Sequence, residues 1–145
     1  MTIKISRRLL DHFRREAKRI FPKEAYAALL GESKGGVVKV TQLFFPEDQE
    51  RYATKKNIPY SNTWLTKATV AARLVGLGVL GEIHSHPENS RFEHDAAPSQ
   101  DDWERASDAS TVHGICSIRK YPSGRIITRI KFWPKLPLLK EKITS

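Results

Sequence analysis

Two histidines separated by one residue, His84 and His86, lie within the segment GEIHSHPENSRFEHDAAPSQDDW. Side chains alternate along a β-strand, so both imidazoles would project from one face with their Cα atoms roughly 6.6 Å apart. That spacing suits two nitrogens converging on one zinc ion. Pro87 cannot continue a ladder of backbone hydrogen bonds, so we expect the strand to end beside the second histidine, at an open cleft.

A candidate third ligand follows in the same segment. Pro98 and Ser99 are typical of a helix start, and Asp102 would lie in the first turn, where free N–H groups favour a carboxylate. Two histidines and one carboxylate would leave the fourth zinc position to water, whose pKa a catalytic zinc lowers to about 7. Ser99 would lie close enough to donate its hydroxyl to an oxyanion forming on a scissile carbonyl. Taken alone, Ser99 and Asp102 also fit an ordinary helix-capping box.

Length and composition indicate one domain spanning residues 1–145, with a hydrophobic fraction of 39% and a charged fraction of 28%. No apolar run approaches the roughly 20 residues that span a bilayer, and the N-terminus lacks a signal-peptide pattern. We therefore expect a cytoplasmic protein without membrane contact. Cys116 is the single cysteine, which excludes an internal disulfide and a multi-thiolate zinc site and indicates a buried core residue.

The formal net charge of +9 is large for this length and is compatible with an acidic partner, but plain solvated surface charge is the favoured interpretation. Nucleic acid, a membrane surface and an acidic protein remain open from charge alone. A metal-dependent nuclease is therefore an alternative to a peptidase, and salt-dependent binding to DNA or RNA would favour it.

Hydrophobic periodicity predicts interspersed helices and strands, an α/β or α+β fold with a mixed sheet. Three helices are expected: Ser6 to about Phe21, a well-buried helix from Ser61 or Asn62 to about Gly76, and Ser99 to about Ser107. Strands are expected at residues 24–33, 37–45, 78–86, 113–121 and 125–133, the last two forming a hairpin. We expect residues 46–60 to form a surface loop and the basic, Pro-broken tail 134–145 to dock loosely or extend to a partner.

Together these motifs resemble the JAMM (MPN-domain) zinc metallopeptidases, whose signature is a distal Glu, then H-x-H, then S-x-x-D. The matching residues are Glu24, His84-Ser85-His86-Pro87 and Ser99-Gln100-Asp101-Asp102. The opening KISRRLL and the segment FPKEAYAALLG resemble the small archaeal and bacterial members, so the likeness covers about residues 3 to 133.

The resemblance implies a mixed, curved sheet flanked by helices, the cytidine-deaminase-like MPN architecture. It also implies one zinc per chain held by His84, His86 and Asp102, with Glu24 as general acid/base and Ser99 stabilising the tetrahedral intermediate. The expected substrate is a peptide or isopeptide bond after the C-terminal tail of a ubiquitin-like or sulfur-carrier-like β-grasp protein. The oligomeric state stays open.

Two features of this sequence and one property of MPN-like domains in general keep alternatives open. The stretch Pro87 to Pro98 is longer than the family usually shows, and its His94 is either a rival ligand or a solvated loop residue. Glu82 shares the strand face of both histidines and would either support a ligand from behind or compete with Glu24 for the base role. MPN-like domains that have lost their ligands also exist, so an inactive interaction module is a further alternative, although this chain retains every expected ligand.

Overall fold

The computed structural model describes residues 2–46, 62–86, 112–134 and 140–144. Helix α1 (Arg7–Ile20) forms where the sequence predicts it: Ser6 is the N-cap, and its hydroxyl accepts a hydrogen bond from Leu9 N at 3.2 Å. The apolar stripe of α1 is buried against the sheet at Leu10, Phe13, Ala17 and Ile20.

The described strands form one mixed sheet in the order β6-β5-β4-β2-β3-β1-β7. Their bounds are β1 Thr2–Ser6, β2 Tyr26–Lys34, β3 Val37–Phe44, β4 Gly78–His86, β5 Val112–Lys120, β6 Ile126–Pro134 and β7 Lys140–Thr144. Three pairs are parallel, β1 with β3, β1 with β7, and β4 with β5, while β2–β3, β2–β4 and β5–β6 are antiparallel. The predicted mixed α+β fold and the β5–β6 hairpin are confirmed.

In the described part of the chain, one helix packs on each face of this sheet. The face under α1 is the main core, which includes Ile3, Val38, Leu29, Ile83 and Cys116. The opposite face carries helix α2 (Asn62–Leu74), whose Ala68 and Ala72 pack with Tyr26, Ala28 and Leu30 of β2. This second face is the one that holds the two histidines.

Helix α2 is less buried than its composition predicts. Val70 and Leu74 are 51% and 82% exposed, and Val75, just beyond the helix, is 53% exposed. Among the helix side chains that the structure describes, Ala68 and Ala72 contact the sheet, whereas Val70 and Leu74 are exposed. The expectation of a well-buried helix is therefore wrong over its C-terminal half.

Glycine allows β5 to approach β4 closely beside the candidate site. A Cβ atom on Gly81 would lie 1.8 Å from Val112 O, and one on Gly114 would lie 2.8 Å from Phe132 Cε1. A larger residue at position 81 would require the backbone to move, and one at position 114 would require the Phe132 and Ile83 side chains to shift. The two strands are thereby held in the register that pairs Glu82 with His113.

Two strands, β1 and β7, were not predicted from the sequence, and the tail residues Lys140–Thr144 pair in parallel with β1 instead of docking loosely. The predicted helix from Ser99 to Ser107 and the loop after Pro46 lie outside the described residues. In the described ranges, neither helix is long and apolar enough to cross a membrane.

Candidate metal centre

Strand β4 ends at the two histidines, and their ring nitrogens converge. His84 Nε2 and His86 Nε2 are 3.0 Å apart, with ring centroids 4.9 Å apart and planes inclined by 55°. His84 is buried, only 2% exposed, whereas His86 at the strand end is half-buried. The alternation expected for an H-x-H strand is confirmed, and the ring nitrogens of the pair face one point at the end of β4.

This geometry fits a shared zinc ion. Zinc–imidazole bonds of about 2.0–2.1 Å at a tetrahedral angle would separate two ligand nitrogens by about 3.3 Å. The observed 3.0 Å lies close to that value, so a small change in either side chain would suffice. Among the described residues, no set of three or more His, Cys, Asp or Glu side chains is placed to hold a metal. Asp102, the predicted third ligand, is outside these residues, as are Ser99 and His94.

Glu24 lies immediately before β2, next to the end of β4, and is buried with 8% of its surface exposed. Two hydrogen bonds hold the segment before β2 against the end of β4: Ala25 N donates to Ser85 Oγ at 2.7 Å, and Ser85 N donates to Ala25 O at 2.9 Å. Because Tyr26 pairs with His84 in the β2–β4 ladder, extending the register by two residues brings Glu24 opposite His86. The structure therefore brings together three of the predicted site residues.

Glu82 faces the other side of the His84 ring. Its Oε1 is 3.7 Å from His84 Nδ1 and 3.5 Å from His113 Nδ1. Burial raises the pKa of Glu82, but the contact with His113, the charge of His84 and the Tyr26 hydroxyl outweigh this effect and hold the pKa below its usual value. Glu82 thus places a buried carboxyl group behind a candidate ligand.

Cys116 takes no part in this cluster. It is buried in the core under α1, and burial raises the pKa of its thiol to about 12 against the opposing charges of Arg14 and Lys18. A thiol with so high a pKa is not a nucleophile at neutral pH. The prediction of a core cysteine is confirmed.

Two residues of the site were given no role from sequence. His113 reaches Glu82 only through the parallel pairing of β4 with β5, and Ser85 reaches Ala25 across 60 residues of chain. Neither contact leaves a periodic signal in the sequence. The one available clue to Ser85 was its place between the two histidines, which directs its side chain away from their face.

Residues 6–131 match a family model described as prokaryotic homologues of the JAB domain. The match spans most of the chain and includes every predicted site residue. This chain belongs to the prokaryotic JAB family. No curated protein matches it significantly.

Solved structures support the same fold. A protein from Desulfitobacterium hafniense is 21% identical, with 97% of this chain and 94% of the other covered at a TM-score of 0.63. A JAB1/MPN domain protein from Archaeoglobus fulgidus is 22% identical, with 97% and 98% covered and a TM-score of 0.56. A structure described as JAMM, a metalloprotease-like zinc site in the proteasome and signalosome, is 22% identical, with 98% and 99% covered and a TM-score of 0.52. The prokaryotic JAB chain therefore has the JAB/MPN fold, and the family includes metalloproteases.

Proposed function

We propose that this prokaryotic JAB protein is a zinc-dependent peptidase that hydrolyses a peptide or isopeptide bond. The observation that carries the proposal is the 3.0 Å convergence of His84 Nε2 and His86 Nε2 at the end of β4, beside the buried Glu24. A metalloprotease-like zinc site in a protein of the same fold supports it.

His84, His86 and Asp102 would hold the metal. Zinc, when bound, supplies Lewis-acid chemistry that polarises an amide carbonyl and acidifies a water molecule. Glu24 accepts the proton of the attacking water and returns it to the leaving amine, and its burial beside His86 keeps that carboxylate out of bulk solvent. Ser99 donates its hydroxyl to the oxyanion of the tetrahedral intermediate.

The proposed substrate is the C-terminal tail of a ubiquitin-like or sulfur-carrier-like β-grasp protein. An extended tail can bind as an added strand, because main-chain hydrogen bonds hold it whatever its side chains are. Residues 46–60 are the proposed clamp over that tail. Deleting them without loss of cleavage would contradict this part of the proposal.

A nucleic-acid substrate has less support. Two of the α1 arginines are held by acidic neighbours, with Arg14 Nη1 at 2.8 Å from Asp11 Oδ1 and Arg19 Nε at 3.0 Å from Glu16 Oε2. Part of the basic helix is thus neutralised within the chain, and no aromatic platform interrupts it for base stacking.

The test is cleavage of a ubiquitin-like protein fused through its tail to a reporter, linearly or through a lysine side chain. We expect cleavage by wild type with zinc, loss with a chelator, and recovery on adding zinc back. The variant that tests the base is Glu24→Gln. Its matched control is Glu32→Gln, because Glu32 is an exposed carboxylate of β2. Cleavage by Glu24→Gln at the wild-type rate would contradict the base assignment, and inactivity of zinc-loaded wild type on all such fusions would favour an inactive module.

A further inference from the structure

Behind His84 lies a buried carboxylate that faces two imidazoles. Glu82 and His113 are 5% and 6% exposed, and they are directly paired across the parallel strands β4 and β5. The same oxygen, Glu82 Oε1, faces the Nδ1 atoms of His113 and His84, at 3.5 Å and 3.7 Å. Glu82, His84 and His113 thus form a buried side-chain cluster on the sheet, on the opposite side of the His84 ring from the point where His84 Nε2 and His86 Nε2 converge.

A buried carboxylate is costly unless donors surround it. His113 and Tyr26 hydrogen-bond to Glu82, and His84 Nδ1, 3.7 Å from Glu82 Oε1, adds an electrostatic contact that is longer than a hydrogen bond. Within the described residues, Glu82 Oε2, His84 Nδ1 and His113 Nε2 are buried atoms that make no hydrogen bond, so the 3.7 Å approach of His84 Nδ1 to Glu82 Oε1 is an electrostatic contact. If His113 carries its proton on Nδ1, its Nε2 is an unpaired acceptor. If the proton is on Nε2 instead, that N–H is a buried donor without an acceptor, and Nδ1 has no proton to donate to Glu82.

A carboxylate on the Nδ1 side of His84 favours the tautomer that carries its proton on Nδ1. A proton on Nδ1 faces the carboxylate, and the lone pair then lies on Nε2, the nitrogen directed at His86. In the metal-free protein this makes His86 Nε2–H the donor of the 3.0 Å contact. A carboxylate behind a ligating histidine commonly fixes the tautomer and the ring orientation in metal sites.

We propose that Glu82 and His113 are positioning residues: Glu82 fixes His84 in its Nδ1–H tautomer with Nε2 open to a metal, and His113 holds Glu82 in place. The metal part of this inference rests on the proposed function, whereas the tautomer part concerns the metal-free chain. Glu82 is thereby excluded as a rival base, since it faces Nδ1 of His84, on the side of the ring away from the converging nitrogens.

The first experiment measures the histidine tautomers of metal-free protein by long-range ¹H–¹⁵N NMR, with His84→Gln and His113→Gln used for assignment. We expect Nδ1–H for His84 and His113 in wild type and in the control Glu32→Gln. In Glu82→Leu, which removes the acceptor, His84 should lose that preference. An Nε2–H tautomer of His84 in wild type would overturn the proposal.

The second experiment measures zinc affinity by competition with a chromophoric chelator. We expect Glu82→Leu to bind zinc about 10–100-fold more weakly than wild type, in the range typical of residues that orient metal ligands. Glu82→Gln keeps one acceptor oxygen and should lie closer to wild type. Equal affinities of wild type and Glu82→Leu would overturn the proposal.

A variant pair at His113 separates positioning from mere packing. Asn places an amide N–H near the position of Nδ1, whereas Gln places it near Nε2, so His113→Asn should retain zinc affinity better than His113→Gln. Equal zinc affinities of His113→Asn and His113→Gln would overturn the positioning role of His113. If Glu82→Leu does not fold, the comparison of these two His113 variants tests the proposal in its place. If wild type binds no zinc, the proposed function fails, and the tautomer measurement still decides this inference.

Discussion

Ser85→Ala removes a single oxygen atom from the junction that joins Glu24 to the histidine strand. In the wild type, Ala25 N donates to Ser85 Oγ at 2.7 Å, and both residues are fully buried. The alanine side chain cannot accept this bond, and at 0% exposure the Ala25 N–H has no contact with bulk solvent. The second bond, from Ser85 N to Ala25 O, uses the backbone and remains.

The expected decrease in the free energy of unfolding comes from the Ala25 N–H, which loses its acceptor. A buried N–H left without an acceptor costs about 1–3 kcal/mol. For a domain near this size, such a loss lowers the melting temperature by about 3–12 °C. Ser33→Ala is the matched control, because Ser33 is an exposed residue of β2, and surface substitutions usually change the free energy of unfolding by less than about 0.5 kcal/mol.

The assay is thermal and urea unfolding of metal-free Ser85→Ala, Ser33→Ala and wild type, followed by circular dichroism. If Ser85→Ala unfolds within about 0.5 kcal/mol of wild type, the hydroxyl does not satisfy a buried donor and the reasoning is refuted. A functional consequence is expected too: with the histidines in place, zinc should still bind, while turnover falls because Glu24 loses a fixed neighbour.

Replacing His84 by Ala should abolish zinc binding and cleavage together, whereas Glu24→Gln should still bind zinc but no longer cleave the substrate. Elemental analysis and a cleavage assay on both variants distinguish a metal ligand from a general base. Loss of zinc in Glu24→Gln would contradict the assignment of Glu24 as the base. Cys116, whose pKa burial raises to about 12, should resist thiol reagents at pH 8 in the folded protein and react within minutes in urea. Rapid modification of the native protein would show that the thiol is not in the core.

Local signals predicted the elements that present the site. Ser6 and the apolar period predict α1, and strand alternation predicts that His84 and His86 lie on one face. The β5–β6 hairpin followed from a turn that includes Gly124, whose φ of 90° suits glycine. Each of these signals depends on neighbours within a few residues.

Contacts between distant segments were not predicted. Strand β1 has only 5 residues and pairs in parallel with β3 and β7, so no turn signal marks it. The pairing of Glu82 with His113 depends on the β4–β5 register. Gly81 and Gly114 allow this register, but their presence in the sequence does not predict it. The exposure of Leu74 depends on which face of α2 meets the sheet, and composition alone does not decide that.

The central claim is that the two converging histidines belong to a metal centre. Zinc content per chain, measured by elemental analysis of wild type and His86→Ala after purification and after zinc addition, tests it most directly. The account predicts about one zinc per chain in wild type and a large loss in the variant, because His86 Nε2 is one of two nitrogens facing a common point. No zinc in wild type even after addition, or equal zinc in both proteins, would contradict it.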